Sequence, residues 1–277
     1  MNPVNKALWF VESHFGRELS LEEIASVCGV SRYHLTRAFG VATGHSIMEY
    51  VRKRRLSEAA RALAQGAPDI LTVALQACYR SHEAFTRAFH DQFGMTPERV
   101  RLERCIDDIQ LLEPIKMDES LYTILDAPRF ENGRTLFIAG FSARYSCESS
   151  AGIPAQWQRF LPHFGHVPGQ IDRKGYGVSC NSDDAGNFDY LCGVEVSSFS
   201  RLPAEFGRMR IPEQRYAIFQ HRDHVSTIRR TWNTIWSSWL PQSGLSASGG
   251  PDIELYGEDF DPITGTGLIE IWLPVKG

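Results

Sequence analysis

One bihelical pattern occurs twice within the first hundred residues, and this duplication constrains the chain more than any other feature. Leu19–Phe39 reads LSLEEIASVCGVSRYHLTRAF and Asp69–Phe89 reads DILTVALQACYRSHEAFTRAF. Leu35, Arg37, Ala38 and Phe39 recur as Phe85, Arg87, Ala88 and Phe89 at one offset, 50 (87 − 37). In each copy the second helix keeps small or apolar residues inward and long polar ones outward.

Local signals mark where these helices start and stop. Val4, Leu8, Val11 and Phe15 repeat at helical spacing behind Pro3, and Gly16 ends that helix. Ser20 with Glu23 forms a capping box that opens Leu21–Val27, because each side chain takes a backbone N–H that the first turn leaves unpaired. Gly29 supplies a left-handed turn, and Ser31 caps a helix running to about Phe39. A second box, Ser46 with Glu49, opens a long helix that stops at Gly66. Asp69 caps Ile70–Ala77, Ser81 opens a helix to Phe93, Gly94 closes it, and Thr96 with Pro97 starts a last one. Arg32, Tyr33, Thr36 and Arg37 are expected on the outer face of the first such helix, with His34 packing or capping. The run Arg52-Lys53-Arg54-Arg55 is the densest positive charge in the chain, expected as a solvated face or a phosphate contact.

A helix of this make-up fits the major groove of DNA. An arginine can take guanine O6 and N7 with two hydrogen bonds, discriminating bases by ~1–3 kcal/mol. Two such helices reading one face of the duplex must lie about 34 Å apart. A single polypeptide then presents both readers, so an asymmetric site is expected to be bound by a monomer.

Composition narrows the remaining classes. At 277 residues the chain has room for two or three compact units, and an apolar share of 43% is that of a globular protein. No apolar run approaches the ~18 residues of a membrane span, and the start MNPVNKALW lacks the order of a signal peptide. Six cysteines (Cys28, Cys78, Cys105, Cys147, Cys180, Cys192) form no CxxC pair and no metal-type spacing, so reduced packing thiols in the cytoplasm are expected. The net charge of −4 divides unevenly. Residues 1–104 hold 14 Lys and Arg against 11 Asp and Glu, whereas residues 105–277 hold 15 against 22. A basic reader joined to an acidic second domain follows, and phosphate repulsion would turn that second domain away from the duplex.

The period changes beyond Leu102–Glu119, a polar stretch read as a linker. Thr135–Tyr145 reads as a strand, Ile153–His163 as a helix, and Gly175–Asn181 and Phe188–Val196 as strands. The order recurs as strand Tyr216–His221, helix Val225–Trp239, and strands Ile253–Gly257 and Gly267–Pro274. This is a β-α-β-β unit used twice, an α+β architecture. Gly193-Val194-Glu195-Val196 echoes Leu268-Ile269-Glu270-Ile271 at an offset of 75 (270 − 195). Such units pack side by side around a cleft. Trp232, Trp236 and Trp239 fall on one helical face, while Leu268, Glu270 and Trp272 share a strand face, as do Glu254 and Tyr256. An acid among apolar neighbours is costly to bury alone, and a cationic ligand held by aromatic faces would offset that cost.

Residues 5–104 resemble the DNA-binding domain of AraC/XylS-type transcription regulators. The motif aromatic–x–S–x–x–x–F–x–R–x–F–x–x–x–F–G–x–T–P stands as Tyr79 through Pro97, and Cys78 departs from the glycine found there in many members. The resemblance implies that Arg32, Tyr33, Thr36 and Arg37 face bases in one half-site, and Ser81, His82, Glu83, Thr86 and Arg87 in the other. Asp252-Ile253-Glu254-Leu255-Tyr256, Glu270-Ile271-Trp272-Leu273-Pro274 and Tyr145-Ser146-Cys147 resemble the GyrI-like effector-binding domain. It implies a pocket for a small amphipathic or cationic molecule, with Glu254, Glu270, Tyr256, Trp272, Trp232, Trp236, Tyr190 and Glu195 as candidate ligands.

The fold expectation is therefore an all-α double helix-turn-helix domain (1–104), a linker (105–119) and a GyrI-like α+β domain (120–277). The functional expectation is a cytoplasmic regulator at the bacterial nucleoid, activating from double-stranded promoter DNA through RNA polymerase. No catalytic residue, metal, cofactor or membrane contact is expected. The alternatives are a hydrolase using Glu254 or Glu270 with Tyr256 or Tyr190 to activate water, and a constitutive DNA binder without a ligand.

Overall fold

The computed structural model describes residues 2–117, 122–147 and 149–277. The end of the expected linker (Asp118, Glu119) and the start of the expected second domain (Ser120, Leu121) lie outside the described residues. The helices follow their caps: α1 Pro3–His14, α2 Leu21–Cys28, α3 Arg32–Thr43, α4 Ile47–Ala64, α5 Ile70–Gln76, α6 His82–Phe93 and α7 Pro97–Glu103. Side-chain oxygens of Asn2, Ser20, Ser31, Ser46, Asp69, Ser81 and Thr96 each accept a backbone N–H in the first turn that follows.

Gly29 makes the first turn at φ 73° and Cys78 makes the second at φ 63°. The second turn thus keeps left-handed geometry without glycine. A side chain there meets its own backbone, at a cost on the order of 1–3 kcal/mol.

The second half is a mostly antiparallel sheet with helices. Its strands are β1 Arg129–Gly133, β2 Leu136–Ser146, β3 Gly175–Cys180, β4 Asn187–Glu195, β5 Gly207–Ile211, β6 Gln214–His221, β7 Ser246–Ala247, β8 Asp252–Tyr256 and β9 Ile269–Lys276. They lie in the order β1-β6-β9-β8-β3-β4-β2-β5, with β7 added to β9. The expected repeat is visible: β2, β3, β4 with helix α8 (Ile153–Phe160), and β6, β8, β9 with helix α9 (Ile228–Thr234). The two units meet where β3 pairs β8, Gly177 opposite Glu254. Strands β1 and β5 extend the two outer edges and were not expected from the sequence.

The buried interior does not divide at the linker. One apolar cluster runs from Val4, Ile24, Leu35 and Phe39 of α1–α3 into Trp232, Ile235, Trp236 and Leu240 of the second half. The second helix-turn-helix has its own cluster around Leu63, Val73, Phe85, Phe89 and Val100. Nor is the stretch after α7 a free linker. Ile109 is buried in that second cluster, Leu112 N donates to Ser57 Oγ, Leu112 O accepts from Arg54, and Ile115 N donates to the Tyr50 hydroxyl. This strap also corrects the expectation for the basic run. Arg54 is buried and grips Glu12 through Nε (2.9 Å) and a terminal nitrogen (3.0 Å); Arg55 donates to Phe15 O (2.7 Å); Lys53 pairs with Glu49 (3.1 Å). Helical periodicity turns Arg54 inward, and Arg52 is exposed.

Replacing Cys78 with glycine relieves the left-handed strain at the second turn. Unfolding free energy is expected to rise by about 0.5–1 kcal/mol, read as a higher urea midpoint at unchanged slope, and Cys78→Val to lower it by a comparable or larger amount.

Candidate effector cavity and reading helices

A cavity of about 790 Å³ opens over the β3–β8 junction. Ile153, Pro154 and Trp157 of α8 line one side, Ile228 and Trp232 of α9 the other, and Glu254, Tyr256, Phe188 and Tyr190 the sheet. The repeat explains its position, since the two helices flank the central strand pair and leave the space between them open.

Glu254 lies at the centre of this chemistry. Its Oε1 accepts from Trp232 Nε1 (2.8 Å), and its Oε2 from the hydroxyls of Tyr256 (3.0 Å) and Tyr190 (3.3 Å). Trp157 Nε1 in turn donates to the Tyr190 hydroxyl (3.0 Å). Gly177 makes room for this cluster, because a Cβ there would stand 2.2 Å from the Tyr190 hydroxyl oxygen. All three donors to Glu254 are neutral, and among the described residues it has no salt bridge. Burial raises its pKa above the usual carboxylate value, against the lowering pull of those hydrogen bonds. A buried carboxylate ringed by aromatic faces, on which Arg37 acts only through space, suits a cation with apolar bulk.

Four of the eight candidate ligands therefore meet here: Glu254, Tyr256, Trp232 and Tyr190. The other four do not, and strand register is the reason for three. Residues directly opposite on antiparallel strands share a face. Leu255, not Glu254, is opposite Glu270, and Ile253 is opposite Trp272, so both candidates project from the other side of the sheet. There Arg129 holds Glu270 bidentately (2.7 and 3.0 Å) and Trp272 Nε1 donates to it (3.0 Å). Burial alone would raise the Glu270 pKa, but Arg129 and Trp272 outweigh it and leave the group below its ordinary value. Glu195, opposite Ile138, is buried and gripped by Arg134, with the Tyr176 hydroxyl donating at 3.2 Å.

Trp236 is displaced by helix geometry. Ile235–Trp239 forms a π-helical segment, whose wider turn breaks the common face expected for the three tryptophans. Trp232 points to the cavity, Trp239 packs edge-on against Phe219, and Trp236 packs against α3. Of the expected hydrolytic pairings, only Glu254 with Tyr256 and Tyr190 is brought together.

The cavity has one further wall that sequence reasoning missed. Thr36, Arg37, Gly40 and Val41 of α3 line it. Tyr33, Thr36 and Arg37, expected on the outer face of this helix, are instead covered by the second half of the chain. Arg37 donates to Asp252 Oδ2 at 2.6 Å, with side chains only 11% and 1% exposed. Its guanidinium also lies 5.6 Å from the Phe188 ring centre and 5.8 Å from that of Trp236. Tyr33 contacts Trp236 edge-on, His34 Nε2 donates to Trp236 O (2.8 Å), and Arg32 reaches Asp184 (3.5 Å). At the far end of α3, Arg229 of α9 donates to Val41 O (2.6 Å) and Gly40 O (3.3 Å), a cation at a helix C-terminus. Gly40 allows the close approach, since a Cβ there would lie 2.4 Å from Cys147 Sγ. The covered face is the one expected to read bases, and only Arg32 of the four remains exposed.

The second reader is open. Glu83 and Arg87 of α6 are exposed, His82 and Thr86 half-buried, and Ser81 Oγ is engaged as the cap of the helix. His82 Nε2 approaches Glu98 at 3.7 Å.

Changing Glu254 to glutamine should weaken binding of an aromatic monocation such as crystal violet by about tenfold or more, with thermal stability held or raised by the removal of a buried charge. In the unchanged protein the raised pKa sets the sign of the pH effect. Affinity should fall as acidification protonates Glu254, and recover as pH rises above that value. A fluorescence titration across pH checks both outcomes.

Comparison with known proteins adds family matches over both halves. A model described as the GyrI-like small molecule binding domain matches residues 127–276, and a helix-turn-helix domain model of AraC type matches residues 24–103. The chain is 28% identical to the transcriptional regulator Rob of Salmonella typhimurium over 295 aligned positions, covering 99% of this chain and 98% of the relative. It is 26% identical to the right origin-binding protein of Escherichia coli K12 with the same coverage. The multiple antibiotic resistance protein MarA of Escherichia coli K12 is 30% identical over 112 positions, 40% of this chain and 88% of the relative.

Proposed function

Because the chain belongs to the GyrI-like small-molecule-binding family and carries an AraC-type helix-turn-helix in front of that domain, we propose that it is an effector-responsive transcription regulator acting from promoter DNA. Its homologues are transcriptional regulators. The observation that carries the DNA assignment is α6. It is capped by Ser81, supported by its own core through Phe85 and Phe89, and turns Glu83 and Arg87 to solvent. Arg87 is the repeat counterpart of Arg37 and takes the base-reading role. Arg52, exposed on α4, takes a phosphate role. A monomer suffices for an asymmetric site, since both readers are in one polypeptide, and contact with RNA polymerase from that site yields activation.

The effector is a small amphipathic cation. Its charge meets Glu254, and its apolar body fills the space between Trp157, Trp232 and Phe188. Coupling to transcription requires only that the ligand prefer one of two arrangements of the chain.

Selection of binding sites from random duplexes, followed by footprinting, tests this reading. Arg87→Ala should cost ~1–3 kcal/mol and relax base preference at one position, and Arg52→Ala should weaken all sequences alike and reduce the salt slope by about 1. Recovery of no preferred sequence would remove the assignment.

A further inference from the structure

The face of α3 that would read bases is already occupied, and by groups chemically similar to those it would meet on DNA. A carboxylate takes the Arg37 guanidinium, a second carboxylate reaches Arg32, and aromatic rings flank Arg37 as stacked bases would. We propose that the effector domain carries a docking surface for the first reading helix, that DNA and this surface compete for Arg37, and that a cation bound at Glu254 releases α3 to the DNA. The inference rests on the reading of α3 as a DNA-binding helix and adds the regulation of that site.

The sign of the effector's action follows from the charges. Asp252 and Glu254 lie two residues apart on β8 and alternate onto the same face. Burial raises the Asp252 pKa to about 6, with Glu254 adding to the rise against the pull of Arg37, whose field also acts on Glu254. In the docked arrangement one cation serves two buried carboxylates. A monocation entering at Glu254 meets repulsion from Arg37 while α3 is docked. Once α3 has left, it meets two uncompensated acids and no repulsion. It therefore binds the released arrangement more tightly, and by linkage shifts the chain toward it. Loss of the wall made by Thr36, Gly40 and Val41 opposes this. The proposed release requires the relief of repulsion from Arg37 to exceed the loss of those few apolar contacts.

The docking surface is also incompletely satisfied. Among the described residues, Thr36 Oγ1, Arg37 Nε and Asp252 Oδ1 are buried without hydrogen-bond partners, all three at the contact itself. A half-satisfied buried network is held less firmly than its burial suggests. A guanine edge offers Arg37 two acceptors, O6 and N7, against the one hydrogen bond it makes to Asp252.

The geometry offers a lock. A Cβ built on Gly40 would stand 3.5 Å from the Cys147 Cβ, within the 3.5–4.5 Å that a disulfide spans. Gly40→Cys oxidised onto Cys147 should hold α3 docked, and Gly40→Cys with Cys147→Ser is the control that cannot lock. The full chain is footprinted on its selected site. The oxidised variant should protect only the α6 half, lose about tenfold or more in affinity, and ignore crystal violet; reduction should restore full protection. Asp252→Asn, which weakens the docking without touching the reader, should bind DNA more tightly than the parent and gain less from crystal violet. The parent should gain several-fold in DNA affinity on adding crystal violet. Circular dichroism confirms that each variant is folded.

Equal footprints and affinities for the oxidised and reduced forms would overturn the proposal, as would a loss of DNA affinity on adding crystal violet. Absence of any selected site in the parent and in Asp252→Asn would instead overturn the DNA-reading assignment beneath it.

Discussion

The arrangement depends on what one short strand does with three alternate residues. Asp252, Glu254 and Tyr256 point from β8 to the same side of the sheet, at the seam where the two β-α-β-β units meet. Asp252 meets a reading helix from the other half of the chain, Glu254 forms the floor of the cavity, and Tyr256 holds Glu254 by a hydrogen bond. Two acids at this spacing, both desolvated, are unfavourable unless something positive stands near. The fold meets that need with Arg37, and the rest of the interface is arranged so that Arg37 can reach. Gly40 brings α3 close, Arg229 holds its C-terminal carbonyls, and Trp236 fills the space beneath.

Removing one partner from a buried ion pair typically costs ~3–5 kcal/mol, whereas the intact pair contributes little net stability over apolar packing. Arg37–Asp252 is therefore weak as a source of stability and strong as a determinant of arrangement. The apolar cluster shared by α1–α3 and the second unit supplies the favourable term, and the ion pair selects which surface of α3 is turned inward. The same division holds on the opposite side of the sheet. There Glu270 and Glu195 occupy repeat-related positions, and Arg129 and Arg134, which are not related by the repeat, pair with them away from the cavity. Duplication of the unit thus carried an acid to both places, and each copy was neutralised locally.

Most of the helical half was legible in the sequence because its signals are local. Ser20, Ser31, Ser46, Asp69, Ser81 and Thr96 each begin the helix that their capping chemistry predicts. The strands of the repeat were legible from period-2 alternation. What escaped was everything that depends on how separate segments meet. Alternation places Glu254 with Tyr256 and Glu270 with Trp272, but only the β8–β9 register shows that the two pairs face opposite ways. The three tryptophans were read on a regular helix, and the π segment altered their directions. The polar outer face of α3 was read as solvent-facing because nothing in a linear sequence marks Arg37 as the partner of a residue 215 positions away. Gly40, read as lying just beyond the helix, is in fact within α3, where its missing side chain lets Cys147 approach.

The strap between the two halves bears on how far they can separate. From Ile109 to Ile115 the chain is tied along α4 by Ser57, Arg54 and Tyr50. The tether is thus held against α4 as far as Ile115. If α3 undocks as proposed, these ties to α4 would keep the effector domain attached close to the DNA-binding half. An anionic body held near phosphate would lower affinity for every DNA sequence alike, weakening non-specific binding while leaving the preference among sites to the base contacts of the reading helices.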